Sequence, residues 1–145
     1  ISFIMNMVAE EEIIQFLKEE TYEEVITSKT DIFNECGISG DDSHELIEKY
    51  QMKYNVDMSN YLWYFHCDEE GTSFISGMFF KPPYKRVTRI PITPKMLTDF
   101  ANSKRWNIDY PEHKLPKYRY DIIFNQIVLS IIFIWLIYSL VRKYF

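Results

Sequence analysis

The chain has 145 residues, a formal net charge of −5, 17% aromatic residues and only 4 glycines. That length allows one domain of ordinary size, or a smaller one with an appendage, and that composition excludes a disordered tail. The charge is unevenly placed: Ile1 to Glu70 carries 17 Asp and Glu against 4 Lys and Arg, whereas Gly71 to Arg119 carries 3 against 10. An acidic first half repels phosphate, which excludes nucleic acid as its partner. The basic second half stands just ahead of an apolar segment, where anionic lipid headgroups would meet it.

Residues 1–7, ISFIMNM, lack the basic start and long apolar run of a secretory signal. They are read as a short extension, with Met5 or Met7 as candidate first residues. A first helix is expected from Val8 to about Val25, because Ala9, Ile13, Phe16 and Leu17 recur at helical spacing and Glu10, Glu11 and Glu12 suit a first turn. Glu19, Glu20, Glu23 and Glu24 weaken its far end. Residues 26–39 read as a loop anchored by Ile32, Phe33 and Ile38.

The second helix follows Gly40. Leu46, Ile47, Tyr50 and Tyr54 form one apolar stripe, and Asp41 and Asp42 sit where the helix dipole favours carboxylates. A short third helix is expected over Met58, Tyr61, Leu62 and Phe65, with Asp57 or Ser59 as its cap. Residues 72–80 and 87–90 are rich in Phe, Ile, Val and Thr and read as two short strands or extended segments, with Pro82 and Pro83 between them. Thr93-Pro94 is a helix start, Met96, Leu97, Phe100 and Ala101 supply its buried face, and Trp106 is expected to fold back onto the core. Residues 107–121, with Pro111 and Pro116, read as a linker.

Ile122 to Val141 holds no charged residue. Its apolar side chains run all the way round a helix, and about 20 residues at ~1.5 Å each span a ~30 Å hydrocarbon core. Trp135 and Tyr138 suit an interface, and Arg142 and Lys143 end the span. Asn125 and Gln126 weaken its start, which could slip to Ile127. Lys104, Arg105, Lys114, Lys117 and Arg119 outnumber the cations beyond it, so the folded part is expected in the cytosol, tail-anchored in the membrane.

Residues for catalysis are not assembled by the pattern. Ser43 and His44 are helix neighbours pointing about 100° apart, which is no triad. Cys36, His44, His66 and Cys67 fit none of the paired zinc spacings. A Cys36–Cys67 disulfide is arithmetically available, but cytosolic thiols stay reduced by default.

Residues 31–57 resemble an acyl carrier protein around its phosphopantetheine site: a loop, an acidic turn, then a helix with Glu45-Leu46-Ile47 followed by Tyr50 and Tyr54. More closely, the chain is similar to a small bacterial family of uncharacterised proteins with an acyl-carrier-like fold. The matching pieces are Asp31-Ile32-Phe33, Gly40-Asp41-Asp42 before Glu45-Leu46, Tyr54-Asn55-Val56-Asp57, Tyr64-Phe65 with Glu69 or Glu70 after it, and Ile92-Thr93-Pro94 with Leu97 leading to Arg105-Trp106. They cover about Val8 to Trp106, and the apolar tail is an addition.

The resemblance implies a mainly α, acyl-carrier-like small helical bundle at 8–106 with a short extended/β insertion; to it the residue pattern adds a juxtamembrane linker at 107–121, a transmembrane helix at 122–141 and a tail at 142–145. Carrier proteins attach their arm to the Ser of an Asp-Ser-Leu motif. In the register that keeps the apolar stripe in phase, Gly40 takes that place and no phosphodiester can form. In the rival register Ser43 is the attachment point, but Leu46 falls out of phase. The expectation is therefore a bacterial inner-membrane protein without enzymatic activity or cofactor. It would meet an unknown protein partner through Asp41, Asp42, Glu45 and Glu48. The alternatives are a working carrier with phosphopantetheine on Ser43, and a small membrane immunity or stress protein whose span acts on its partner.

Overall fold

The computed structural model describes residues 6–71 and 74–145; the start of the expected extension, 1–5, and the first two residues of the expected 72–80 strand lie outside the described residues. Five helices follow in order: α1 Glu10–Thr21, α2 Gly40–Tyr54, α3 Phe74–Phe79, α4 Pro94–Ser103 and α5 Tyr120–Tyr144. The fold is mainly α, and no strand occurs among the described residues.

α1 buries Ile13, Phe16 and Leu17. It stops earlier than its apolar pattern suggests, at Tyr22, which turns into the left-handed region (φ 60°) and donates its N–H to the Lys18 carbonyl. The carboxylates beyond Lys18 explain the early stop, since negative charge is unfavourable at the negative end of the helix dipole. The long connection to α2 is pinned rather than loose. Ile32 and Phe33 are buried, the Ile32 N–H reaches the Ile92 carbonyl at 2.9 Å, and Arg89 clamps Asp31 through two bonds of 2.5 and 2.7 Å. That guanidinium holds the Asp31 carboxyl below its ordinary range, against the opposing pull of burial.

α4 is built as its sequence indicates. Thr93 accepts a bond from the Met96 N–H, Pro94 occupies the first turn, and Leu97, Phe100 and Ala101 face the core. The Tyr50 hydroxyl of α2 donates to the Leu97 carbonyl at 2.5 Å, and Asn102 bonds both the N–H and the C=O of Val8. Trp106 folds back as expected and is fully buried against Phe100, with ring centroids 4.7 Å apart. Replacing Thr93 by alanine should destabilise the domain by about 1 kcal/mol, the usual worth of a helix cap, read as a lower urea midpoint.

Two expected elements differ. The helix proposed over 58–65 is a single tight turn, Trp63–Phe65. The Asp57 carboxylate accepts from the Ser59 N–H at 2.9 Å, which closes a local turn instead of starting a helix. Among the described residues of 72–80 and 87–90 no strand forms. Residues Phe74–Phe79 are a short helix, and 87–90 is irregular, held by the Ile90 N–H on the Phe65 carbonyl, by His66 on the Ile90 carbonyl and by Arg89 on the His66 carbonyl and Asp31. The aromatic side chains that suggested a strand pack on α5 instead. Phe79 and Phe80 lie 5.4 and 5.6 Å from Phe124, centroid to centroid.

α5 has 25 residues, so it is ~37 Å long and exceeds a ~30 Å hydrocarbon core. It is a helix long and apolar enough to cross a membrane, and beyond its first turns, which pack on Phe79 and Phe80, its apolar side chains are exposed all round. It starts at Tyr120 despite Asn125 and Gln126, two residues ahead of the expected span.

Candidate docking face and its anchor

α2 carries the residues singled out as a docking face. Asp41, Asp42, Glu45 and Glu48 are all exposed, opposite the buried Leu46, Ile47, Tyr50 and Tyr54. Asp41, Glu45 and Glu48 follow one helical row, and the next member of that row is Met52, 68% exposed. The periodicity that locates the acids also locates this methionine, although its apolar side chain gives no signal of exposure in the sequence. The row is not uniformly negative. Lys49 bonds Glu20 of α1 at 2.7 Å and Glu45 at 2.8 Å, and it holds the Glu45 carboxyl below its usual range.

Gly40, at the head of α2, is constrained from two sides. Its φ is +57°, where an L-residue is strained, and a Cβ there would lie 2.6 Å from Cγ of Glu70. Its N–H is given to the Asp68 carbonyl at 2.8 Å, and its own carbonyl takes the Ser43 hydroxyl at 2.6 Å. Ser43 is fully buried. The two positions that could have carried a phosphopantetheine arm are thus a glycine with no room for a side chain and a serine whose hydroxyl points into the helix. The residues present do not fit that group.

The segment from Asp68 to Glu70 joins this helix head to α5. Asp68 bonds Gly40, Glu70 accepts from the Ser39 hydroxyl, and Glu69 receives both arms of Arg119 at 2.9 and 2.8 Å. Arg119 also grips Asp121 at 2.6 Å. An arginine fork shared between two carboxylates fixes direction as well as distance. A groove of 540 Å³ opens between α3 and the start of α5, walled by Glu69, Phe80, Lys85, Arg119 and Ile122.

The expected linker at 107–121 is not free along its whole length. Ile108 is buried, and Tyr110 closes a polar cluster under Trp106. The Nδ1 of His66 lies 2.9 Å from the Ile90 carbonyl and must donate, which leaves Nε2 to accept from the Tyr110 hydroxyl at 2.7 Å. The Tyr110 oxygen accepts in turn from Trp106 Nε1 at 2.9 Å and from the Leu62 N–H at 3.3 Å. Burial pulls the His66 imidazole down to about 4, so it is neutral at physiological pH.

Both His66 nitrogens are therefore committed, while His44 is exposed and edge-on to Trp63 at 5.9 Å. The structure does not gather Cys36, His44, His66 and Cys67 into a ligand set, and no group of three metal-ligating side chains occurs among the described residues. Both cysteines are free thiols, and burial raises each of them above its ordinary range.

Against known protein families, residues 2–109 match one described as "Protein of unknown function (DUF1493)". No curated protein and no solved structure matches the chain.

Proposed function

The chain belongs to the DUF1493 family, and we propose that it is a membrane-tethered docking protein, acyl-carrier-like in plan but without enzymatic activity. One observation carries this reading: the head of α2 is shaped so that it can present charge but cannot bear an arm. Gly40 has no space for a side chain and Ser43 is buried, while Asp41, Asp42, Glu45, Glu48 and Met52 all face outward. An acidic rim beside one exposed apolar side chain suits a basic protein surface with a shallow apolar pocket. The charges set encounter rate and partner choice, and the methionine supplies adaptable contact. Tethering supports the same reading, because confinement at a membrane raises the effective concentration of a weak partner.

In this reading α5 spans a bacterial inner membrane and the domain lies on the cytosolic side. The cations before the span, at 104, 105, 114, 117 and 119, outnumber Arg142 and Lys143 after it. A photo-crosslinker at Glu48 should yield one discrete protein adduct in membranes. The triple change Asp41→Lys, Asp42→Lys and Glu45→Lys should abolish it without reducing the amount of protein in the membrane. An adduct that survives charge reversal would remove the docking face. A mass increase of one phosphopantetheine after co-expression with a transferase, lost in Ser43→Ala, would replace docking by carrying.

A further inference from the structure

We propose that α3 is a second membrane contact, an apolar wedge with a cationic collar that seats the domain on anionic phospholipid beside the span. The inference rests on the reading of α5 as a transmembrane helix and goes beyond it, because a span alone leaves the domain free to tilt.

Geometry supplies the first argument. Phe79 and Phe80 lie against Phe124, and Phe80 lies 6.1 Å from Tyr120. Phe124 is four residues into α5, about 6 Å along its axis from Tyr120. Once the chain enters hydrocarbon near Ile122, rings touching Phe124 are at the headgroup–acyl boundary, the level where interfacial elements insert by ~5–10 Å. α3 has no aqueous place to be at that depth.

Exposure supplies the second. Met78 is 67% and Phe79 66% exposed, adjacent in sequence and beside the span. Two neighbouring large apolar side chains in water on a soluble face would be unfavourable; at the boundary they are buried in lipid.

Charge supplies the third. From Gly71 to Thr98 the chain has no Asp or Glu, and Lys81, Lys85 and Arg86 follow α3 directly, all exposed. Arg89 is not available to lipid in the same way, being clamped on Asp31. Three cations at headgroup level favour phosphate-bearing anionic lipid over a zwitterionic surface. The Arg119–Glu69 fork and the α3 wedge then hold the domain at two points. The head of α2, bonded to Asp68, is thereby kept near the membrane surface, so a partner would approach α2 along that surface.

The test uses the full chain in vesicles, in a Cys36→Ser background, with an environment-sensitive fluorophore on a single introduced cysteine and, as quenchers, lipids spin-labelled at both shallow and deep acyl positions. Met78→Cys should be quenched to an extent approaching Ile132→Cys in the span, and Gln51→Cys, near the far end of α2, should not. Met78→Cys quenching should grow with the fraction of phosphatidylglycerol, and Lys81→Glu, Lys85→Glu, Arg86→Glu together should remove that growth. Quenching at Ile132 but not at Met78 overturns the wedge and leaves the span standing. Absence of quenching at Ile132 overturns the span itself. A disulfide between two copies through Met78→Cys, without lipid quenching, gives this face to a second chain and overturns the lipid assignment. Growth with phosphatidylglycerol that persists in the charge-reversed variant overturns the collar.

Discussion

Replacing Tyr110 by phenylalanine is expected to destabilise the domain by about 3 kcal/mol, although it removes a single oxygen. That oxygen serves three partners: it donates to His66 Nε2 and accepts from Trp106 Nε1 and the Leu62 N–H. Phenylalanine leaves all three unpaired beside a fully buried tryptophan, and each orphaned buried group costs roughly 1–3 kcal/mol, less where water can enter. Tyr110 is only half-buried, which keeps the sum at the lower end. The measurement is urea unfolding of the full chain in nanodiscs, read by tryptophan emission. A loss under about 1 kcal/mol would mean that water already serves the cluster.

The same cluster predicts acid sensitivity of definite sign. The folded protein holds His66 at about 4, below the ordinary 6.5, mainly because burial disfavours the imidazolium. Between those values the unfolded chain binds a proton that the folded one does not, so stability rises with pH there. It is fully present above pH 6.5 and is lost as pH falls from 6.5 towards 4, by roughly 3 kcal/mol in all. The carboxyls of Asp31 and Asp57, lowered in the fold, act only at more acidic pH. Tyr110→Phe should shrink the loss, because the hydroxyl that favours neutral Nε2 has gone. An unchanged pH slope in that variant would contradict the tautomer assigned to His66.

None of this cluster is legible in the sequence, and the reason is distance. His66 and Tyr110 are 44 residues apart, and Glu69 and Arg119 are 50 apart, so no local period links either pair. What could be read was local. Thr93-Pro94 and the stripe behind it specify α4 because cap and burial act within four residues. The uncharged run to Val141 specifies α5 by length alone. The acidic row of α2 followed from one helical period, and Met52 lies on that row. Sequence and structure part where composition and tertiary contact compete. The aromatic stretch before Pro82 has strand-like residues, yet Phe124 and Tyr120 offer its rings a surface that a helical turn satisfies better. The resemblance singles out Gly40, but the side chain that enforces it, Glu70, lies far along the chain.

That enforcement makes a graded experiment. Gly37 and Gly40 share a left-handed backbone, with φ of +62° and +57°. A Cβ on Gly37 would meet nothing within 4 Å, whereas on Gly40 it would meet Glu70 at 2.6 Å. Gly37→Ala should therefore cost only the conformational penalty, about 1–2 kcal/mol. Gly40→Ala should cost about 3 kcal/mol, because Glu70 must also swing away from Ser39 or the head of α2 must shift. Shifting α2 strains the Gly40–Asp68 bond and the Ser43 hydroxyl bond together. Glu70→Ala in the same chain removes the Cγ and Cδ that lie at 2.6 and 2.9 Å and leaves only a Cβ at 3.0 Å, so the double variant should recover most of the way to the Gly37→Ala level. Equal losses at Gly37 and Gly40 would show that Glu70 yields freely and that the site has room for a side chain. The expected inequality has a functional meaning. A serine at Gly40 would keep the alignment with an arm-bearing helix but act against the fold, since it needs the space where Glu70 ties α2 to the segment holding Arg119. In this chain the segment that couples the head of α2 to α5 through Glu69 and Arg119 is the same one that takes the side-chain space at Gly40.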